Sequence, residues 1–290
     1  MNPSGEQHEI VSGDLRAVVT EVGATLRCLT AGDRPLIDGF EVDVICSGGR
    51  GQLLLPWPNR IRDGVYEFAG SRRQLPLSEA QLHNAIHGLV RWSSWRLLDR
   101  SSDRVRLGIT LHPQPGYPFQ LDLTAEYALS AGGLRLEVTA TNRGTAPAPF
   151  GCGGHPYLKP AAELVDGGRL RVPARTYLEV DERLIPTGRR LPVDGTRYDF
   201  RRSSPLGDTV LDTCYTDFDE RLVEFDGRHL GWDEGFGFVQ IFTGDTLDDE
   251  HRRRGLAVEP MTCPADGFNS GEGLVTLAPG ASWEGGWSIR

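Results

Sequence analysis

Two histidines, a glutamate and an arginine stand out, each close to a proline or glycine that constrains the local backbone. In FGCGGHPYLKP (150–160), His155 follows a glycine cluster and precedes Pro156. A residue before proline is held extended, and an imidazole on such a segment can act as acid or base near neutral pH. Gly151, Gly153 and Gly154 would let the backbone approach a ligand closely or adopt positive φ. The alternative is a glycine-rich turn whose histidine merely caps a strand. In GLAVEPMTCPADGFNSG (255–271), Glu259 ends the apolar run Leu256, Ala257, Val258 and is followed by proline. Partial desolvation there would raise its pKa towards the range useful for a base; a solvated strand-end glutamate is the bland reading.

Two further runs gather polar groups. LLLPWPNRIRDG (53–64) sets Trp57 and Arg60 among prolines. An aromatic beside a guanidinium can stack on and hydrogen-bond a small polar ligand, or Trp57 is core and Arg60 a surface ion pair. LHNAIHGLVRWSSW (82–95) contains His83 and His87 at i, i+4, a helical zinc spacing. No glutamate lies between them in the required place and Gly88 follows at once, so no metal is expected. His87 alone, beside its glycine, is the functional candidate, against a satisfied core histidine. No GxSxG elbow appears, no strand–GxGxxG–helix unit surrounds the glycines, and a Schiff-base enzyme would have to use Lys159, the only lysine in the chain.

The elements that must hold these residues read as strands. FQLDLTAEYAL (119–129) and LRLEVTAT (134–141) alternate apolar and polar residues around a Gly-rich SAGG connection, and VRLGITL (105–111) makes a third such strand. Alternation of this kind belongs to antiparallel strands with one wet face. Gly and Pro, 36 and 19 in number, are spread as turn punctuation and not gathered into a linker. No long amphipathic helix, repeat or composition boundary interrupts the pattern. The expectation is all-β: one large antiparallel β-sandwich domain over residues 1–290.

Bulk properties narrow the partners. A net charge of −9 works against nucleic acid, whose affinity rests on Lys and Arg at phosphates, and against an anionic membrane surface. No stretch approaches the roughly 18 apolar residues of a membrane span, and the polar start MNPSGEQHEI has no signal-peptide h-region. The five cysteines are scattered without a CxxC pair, which suits reduced thiols in a cytoplasm.

Taken together, PWPNRI, the HG of NAIHGLVRW, GGHPY and the late VEPM…P-D resemble motifs found in this order in the aldose 1-epimerase (galactose mutarotase) family. The resemblance runs from EVGATL near the start to LAPG near the end. It implies a β-supersandwich with one open sugar cleft and no cofactor. It further implies His155 as general acid, Glu259 as general base, and Arg60, His87 and Asp212 as sugar contacts; Trp57, beside Arg60, would supply an apolar face. Asp212 is matched in DTVLDTCYTDF (208–218), where Asp208 and Asp217 lie close by. The substrate class implied is a free aldohexose. The late motif is closer to a bacterial branch of wider range, some members of which act on sulfoquinovose. A hexose 6-phosphate enzyme would want a basic cluster, for which Arg252 to Arg254 or Arg72 and Arg73 are the candidates. A catalytically silent sugar binder would have no reason to keep both His155 and Glu259.

Overall fold

The structure, a computed structural model, describes residues 2–290. Alternation in the sequence becomes the inward face of a sheet. In strand Leu121–Ser130, Leu121, Leu123, Ala125, Tyr127 and Leu129 are buried and the residues between them are not. Strand Gly133–Asn142 pairs with it antiparallel, Tyr127 opposite Leu136, and Arg104–Leu111 lies on its other side. These are the three strands expected from the sequence, joined by the expected hairpin.

They belong to a nine-stranded sheet in the order Arg96–Arg100, Arg104–Leu111, Leu121–Ser130, Gly133–Asn142, Ser282–Ile289, Arg228–Trp232, Leu222–Phe225, Arg169–Arg171, Ser204–Pro205. A second sheet runs Pro186–Pro192, Ala174–Val180, Asp212–Phe218, Phe238–Phe242, Leu256–Met261, Gly153–Gly154, Leu53–Leu54, with Tyr157–Leu158 also paired to Leu256–Met261. A four-stranded sheet of residues 7–35 is tied to the first through Tyr127, whose hydroxyl donates to Ala24 O at 2.6 Å. Every pairing between these strands is antiparallel. Among the described residues the helices are one turn of α-helix, Gly267–Ser270, and two short 3-10 turns; none is long and apolar enough to cross a membrane.

One core joins the layers. Leu121, Leu123 and Trp287 from the nine-stranded sheet share a hydrophobic cluster with Val239, Ile241, Leu256 and Val258 from the second sheet. Each such large side chain contributes roughly 1.5–3 kcal/mol on full burial. Trp287 marks the closest approach. A Cβ on Gly154 would lie 2.1 Å from the Trp287 ring, so only glycine fits where the second sheet meets that indole.

This corrects the expectation for the glycine cluster. Gly151, Gly153 and Gly154 are absent from the positive-φ positions, and what crowds them is protein: Cys263, Pro58 and Trp287. Their smallness packs the strand that leads into His155 and does not cradle a ligand. Glu259 is also placed differently, since strand Leu256–Met261 continues past it and all six residues are buried. All five cysteines are free.

Candidate active site

An open cleft of about 340 Å³ gathers Arg60, His87, His155, Asp212 and Glu259, five of the six residues singled out from the sequence. A wider depression of about 650 Å³ lies at the hairpin tips around Gly13 and Gly132, and it collects no histidine. The convergent polar groups are in the first, which has the size of an ordinary small-molecule site.

His155 is set by its backbone. Its N–H donates to Gln52 O at 3.0 Å and its carbonyl accepts from Gly51 N–H at 2.9 Å. The ring stacks on Tyr157, centroids 5.0 Å apart and planes 16° from parallel, and meets His87 edge-on at 5.3 Å. Tyr157 is itself anchored by donating to Gly48 O at 2.8 Å. Gly49, at φ +76°, passes so close that a Cβ would sit 2.8 Å from the imidazole. Opposite, His155 Nε2 lies 3.3 Å from Glu259 Oε1, with side chains 6% and 3% exposed.

Burial governs the protonation of this pair. Loss of water pushes His155 down to about 3, with Arg91 next in effect, and holds Glu259 well above the usual carboxylate range, reinforced by Asp212. Both move towards their neutral forms, so the pair carries one exchangeable proton across the middle of the pH range and titrates as a unit. His87 is likewise held neutral, by burial first and then by His155. His155 Nδ1, His87 Nδ1 and Glu259 Oε2 are buried without a hydrogen-bond partner. Three such atoms in one cleft mark a place where a ligand's polar groups are awaited.

The cleft wall is built by strand register. Gln240 stands directly across from Glu259 on the neighbouring strand, and its amide donates to Asp212 Oδ1. That places Asp212 at the edge of the cleft and resolves its neighbours: Asp217 is outside, bonded to Thr176 and Arg190. Burial raises the Asp212 pKa, and Arg60 opposes the shift. Arg60 makes a two-pronged ion pair with Glu79, Nε to Oε2 and Nη2 to Oε1 both 2.8 Å. Asn84 donates to the same carboxylate at 3.0 Å. His87 adopts φ +62° while its N–H donates to Asn59 O at 2.9 Å.

Trp57 is the residue the cleft does not take. It is 2% exposed and packs edge-on against Phe268 at 5.8 Å, so it belongs to the core and offers no face to a sugar. The basic clusters also fall elsewhere. Arg252, Arg253 and Arg254 pair with Asp249, with Asp166 and Asp245, and with Glu163. Arg73 lies over Phe119, and none of the five lines the cleft. Lys159 is bonded to Asp38 at 2.8 Å, away from the site.

Sequence reasoning missed Glu79, Gln240, Gly48, Gly49, Arg91 and Trp92, all of which line the cleft. Arg91 and Trp92 carried a usable signal, the same guanidinium-beside-aromatic pairing that drew attention to Trp57 and Arg60. The His83–His87 spacing proves accidental, since His83 is exposed and bonded to Asp63 at 2.8 Å. A different donor set emerges: His87, His155 and Glu259 offer ligand atoms all within 4.8 Å of one another. Two neutral imidazoles and a carboxylate could hold a transition metal, which the sequence did not lead one to expect.

Comparison with known proteins bears on the same chain. The profile of the aldose 1-epimerase family matches residues 6–290. The uncharacterized protein YihR of Escherichia coli K12 is 35% identical over 286 residues, covering 97% of this chain and 91% of YihR. Human galactose mutarotase is 27% identical, covering 89% of this chain and 84% of its own length. The solved GalM/aldose epimerase homologue from C. elegans superposes with a TM-score of 0.87 at 20% identity, over 98% of both chains. Galactose 1-epimerase from Lactobacillus acidophilus NCFM superposes with a TM-score of 0.80 at 21% identity, over 97% of this chain and 92% of its own. At such identities the structural likeness speaks for the fold.

Proposed function

The chain belongs to the aldose 1-epimerase family and is a mutarotase, and on that footing we propose that it interconverts the α and β anomers of a free aldohexose through His155 and Glu259. The observation that carries this reading is the contact of these two side chains, Nε2 to Oε1 at 3.3 Å, on the buried floor of an open polar cleft. Mutarotation asks for one acid and one base across a single pyranose, and the pair holds one proton between two such groups.

With that proton on the imidazole, Glu259 accepts the C1 hydroxyl proton while His155 donates to the ring oxygen. The ring opens, the aldehyde end turns about C1–C2, and closure on the other face reverses both transfers. Burial favours the proton on Glu259 before sugar binds. Sugar hydroxyls bonded to the carboxylate replace its missing hydration and let the proton pass to His155. Positioned proton transfer of this kind contributes about 10² to 10⁴ in rate.

Arg60, His87 and Asp212 bind the remaining hydroxyls. Glu79 and Gln240 hold Arg60 and Asp212 in place, which keeps the loss of freedom on binding small. Polarimetry on freshly dissolved glucose and galactose tests the reading. Equilibration faster than in buffer alone is expected; no acceleration with any free sugar would overturn the reading in favour of a silent sugar binder.

A further inference from the structure

We infer that Arg50, a buried arginine outside the cleft, is a positioning residue for the acid–base step, holding Tyr157 and the turn at residues 47–50 against His155. This rests on the reading that His155 is the acid.

Arg50 is only 1% exposed, and an arginine is almost never fully buried unless it is paired. Its Nε donates to Asp38 Oδ2 at 3.2 Å, and its Nη1 donates to Ser47 O at 3.0 Å and to Ser47 Oγ at 3.2 Å. Nη2 has no hydrogen-bond partner among the described residues. The guanidinium carbon lies 4.9 Å from the centre of the Tyr157 ring, close enough for a cation–π attraction, which is strongest away from water. Lys159, the only lysine, donates to the other oxygen of Asp38 at 2.8 Å. Two cations therefore share one carboxylate, which leaves positive charge in excess beside Tyr157.

Two of these contacts lead to the imidazole. The Tyr157 ring that meets the guanidinium also stacks on His155, with 5.0 Å between centroids. Its hydroxyl donates to Gly48 O at 2.8 Å, inside the turn that Arg50 grips at Ser47. In the same turn, Gly49 passes so close that a Cβ would lie 2.8 Å from the His155 ring. The imidazole is thus bounded by Tyr157 and by Gly49, and one side chain ties both.

The charge acts in the same sense as the packing. Glu259, His87 and Tyr157 face His155 directly. Burial lowers its pKa first and Arg91 next, with Arg50 and Arg60 adding to the shift. A nearby cation makes the imidazolium a stronger acid, which suits donation to the weakly basic ring oxygen of a sugar. Arg50 does not line the cleft, so it bears on the proton transfer without touching substrate.

Arg50→Met keeps much of the bulk and removes both the charge and the grip on Ser47. Polarimetry should show kcat lowered about 10-fold to 100-fold, the cost of a small misplacement, with KM close to that of the wild type. The acid limb of kcat/KM should move to higher pH, because losing a cation raises the imidazole's pKa. Arg50→Lys keeps the charge but not the fork; it should leave that limb in place and recover part of kcat. NMR reads the position without turnover: the Tyr157 ring should shift the His155 ring protons upfield, and Arg50→Met should reduce that shift. If Arg50→Met fails to fold, Arg50→Lys decides, and wild-type kcat and ring shift in it would overturn the inference. An unmoved ring shift in a folded Arg50→Met, or a raised KM at unchanged kcat, would overturn it as well. A ring that moves with no loss of kcat or kcat/KM would leave the positioning role standing and overturn His155 as the acid.

Discussion

Arg60 and Glu79 face each other across the cleft wall in a two-pronged ion pair, with side chains only 11% and 8% exposed. The Arg60 guanidinium is therefore aimed by a carboxylate that lies 19 residues further along the chain. Removing one partner of a largely buried pair leaves the other charge uncompensated, at a cost of roughly 3–5 kcal/mol. Glu79→Gln should lower stability to urea by an amount near the bottom of that range, because the cleft is open to water. It should also raise KM several-fold, because Arg60 loses its aim. Unchanged urea stability and KM would mean that Arg60 is positioned by Asn59 and the strand alone.

The pH profile follows from burial. His155 is pushed down to about 3 and Glu259 up from the ordinary carboxylate range. Below the lower value both groups are protonated and no base remains; above the higher value neither is, and no acid remains. Between them the one-proton state persists. Buffer-corrected kcat/KM should therefore hold on the acid side down towards about pH 3, below the roughly 4.3 of a solvated glutamate. An acid limb centred at about 4.3 would show that burial does not set the protonation of the pair.

A metal would find three donors in His87, His155 and Glu259, yet the proposed proton transfers need none. Dialysis against EDTA should leave the rate untouched. Added zinc should inhibit by occupying the same atoms, in competition with sugar. Activity lost on dialysis and restored by zinc would make the metal part of the reaction.

Much of this was open to view in the chain itself, and the reason is local. Leu121 to Leu129 alternate because one face of the strand is buried, and His155 and Glu259 are conspicuous because proline follows each. What escaped depends on pairing between distant segments. Gly133–Asn142 lies beside Ser282–Ile289, and Gln240 opposes Glu259; neither register leaves a trace in short-range pattern. Trp57 was misjudged for the converse reason: an aromatic near an arginine looks the same whether its ring faces solvent or Phe268.

The most direct test of the account is Glu259→Gln, with sugar affinity measured by calorimetry and turnover by polarimetry. The amide keeps the size and much of the hydrogen bonding of the carboxylate but exchanges no proton in this range. Affinity near that of the wild type, with turnover lowered on the order of a hundredfold or more, is the predicted result. Turnover close to the wild-type rate would contradict the account and move the base elsewhere, first to Asp212, which Gln240 holds on the same side of the cleft.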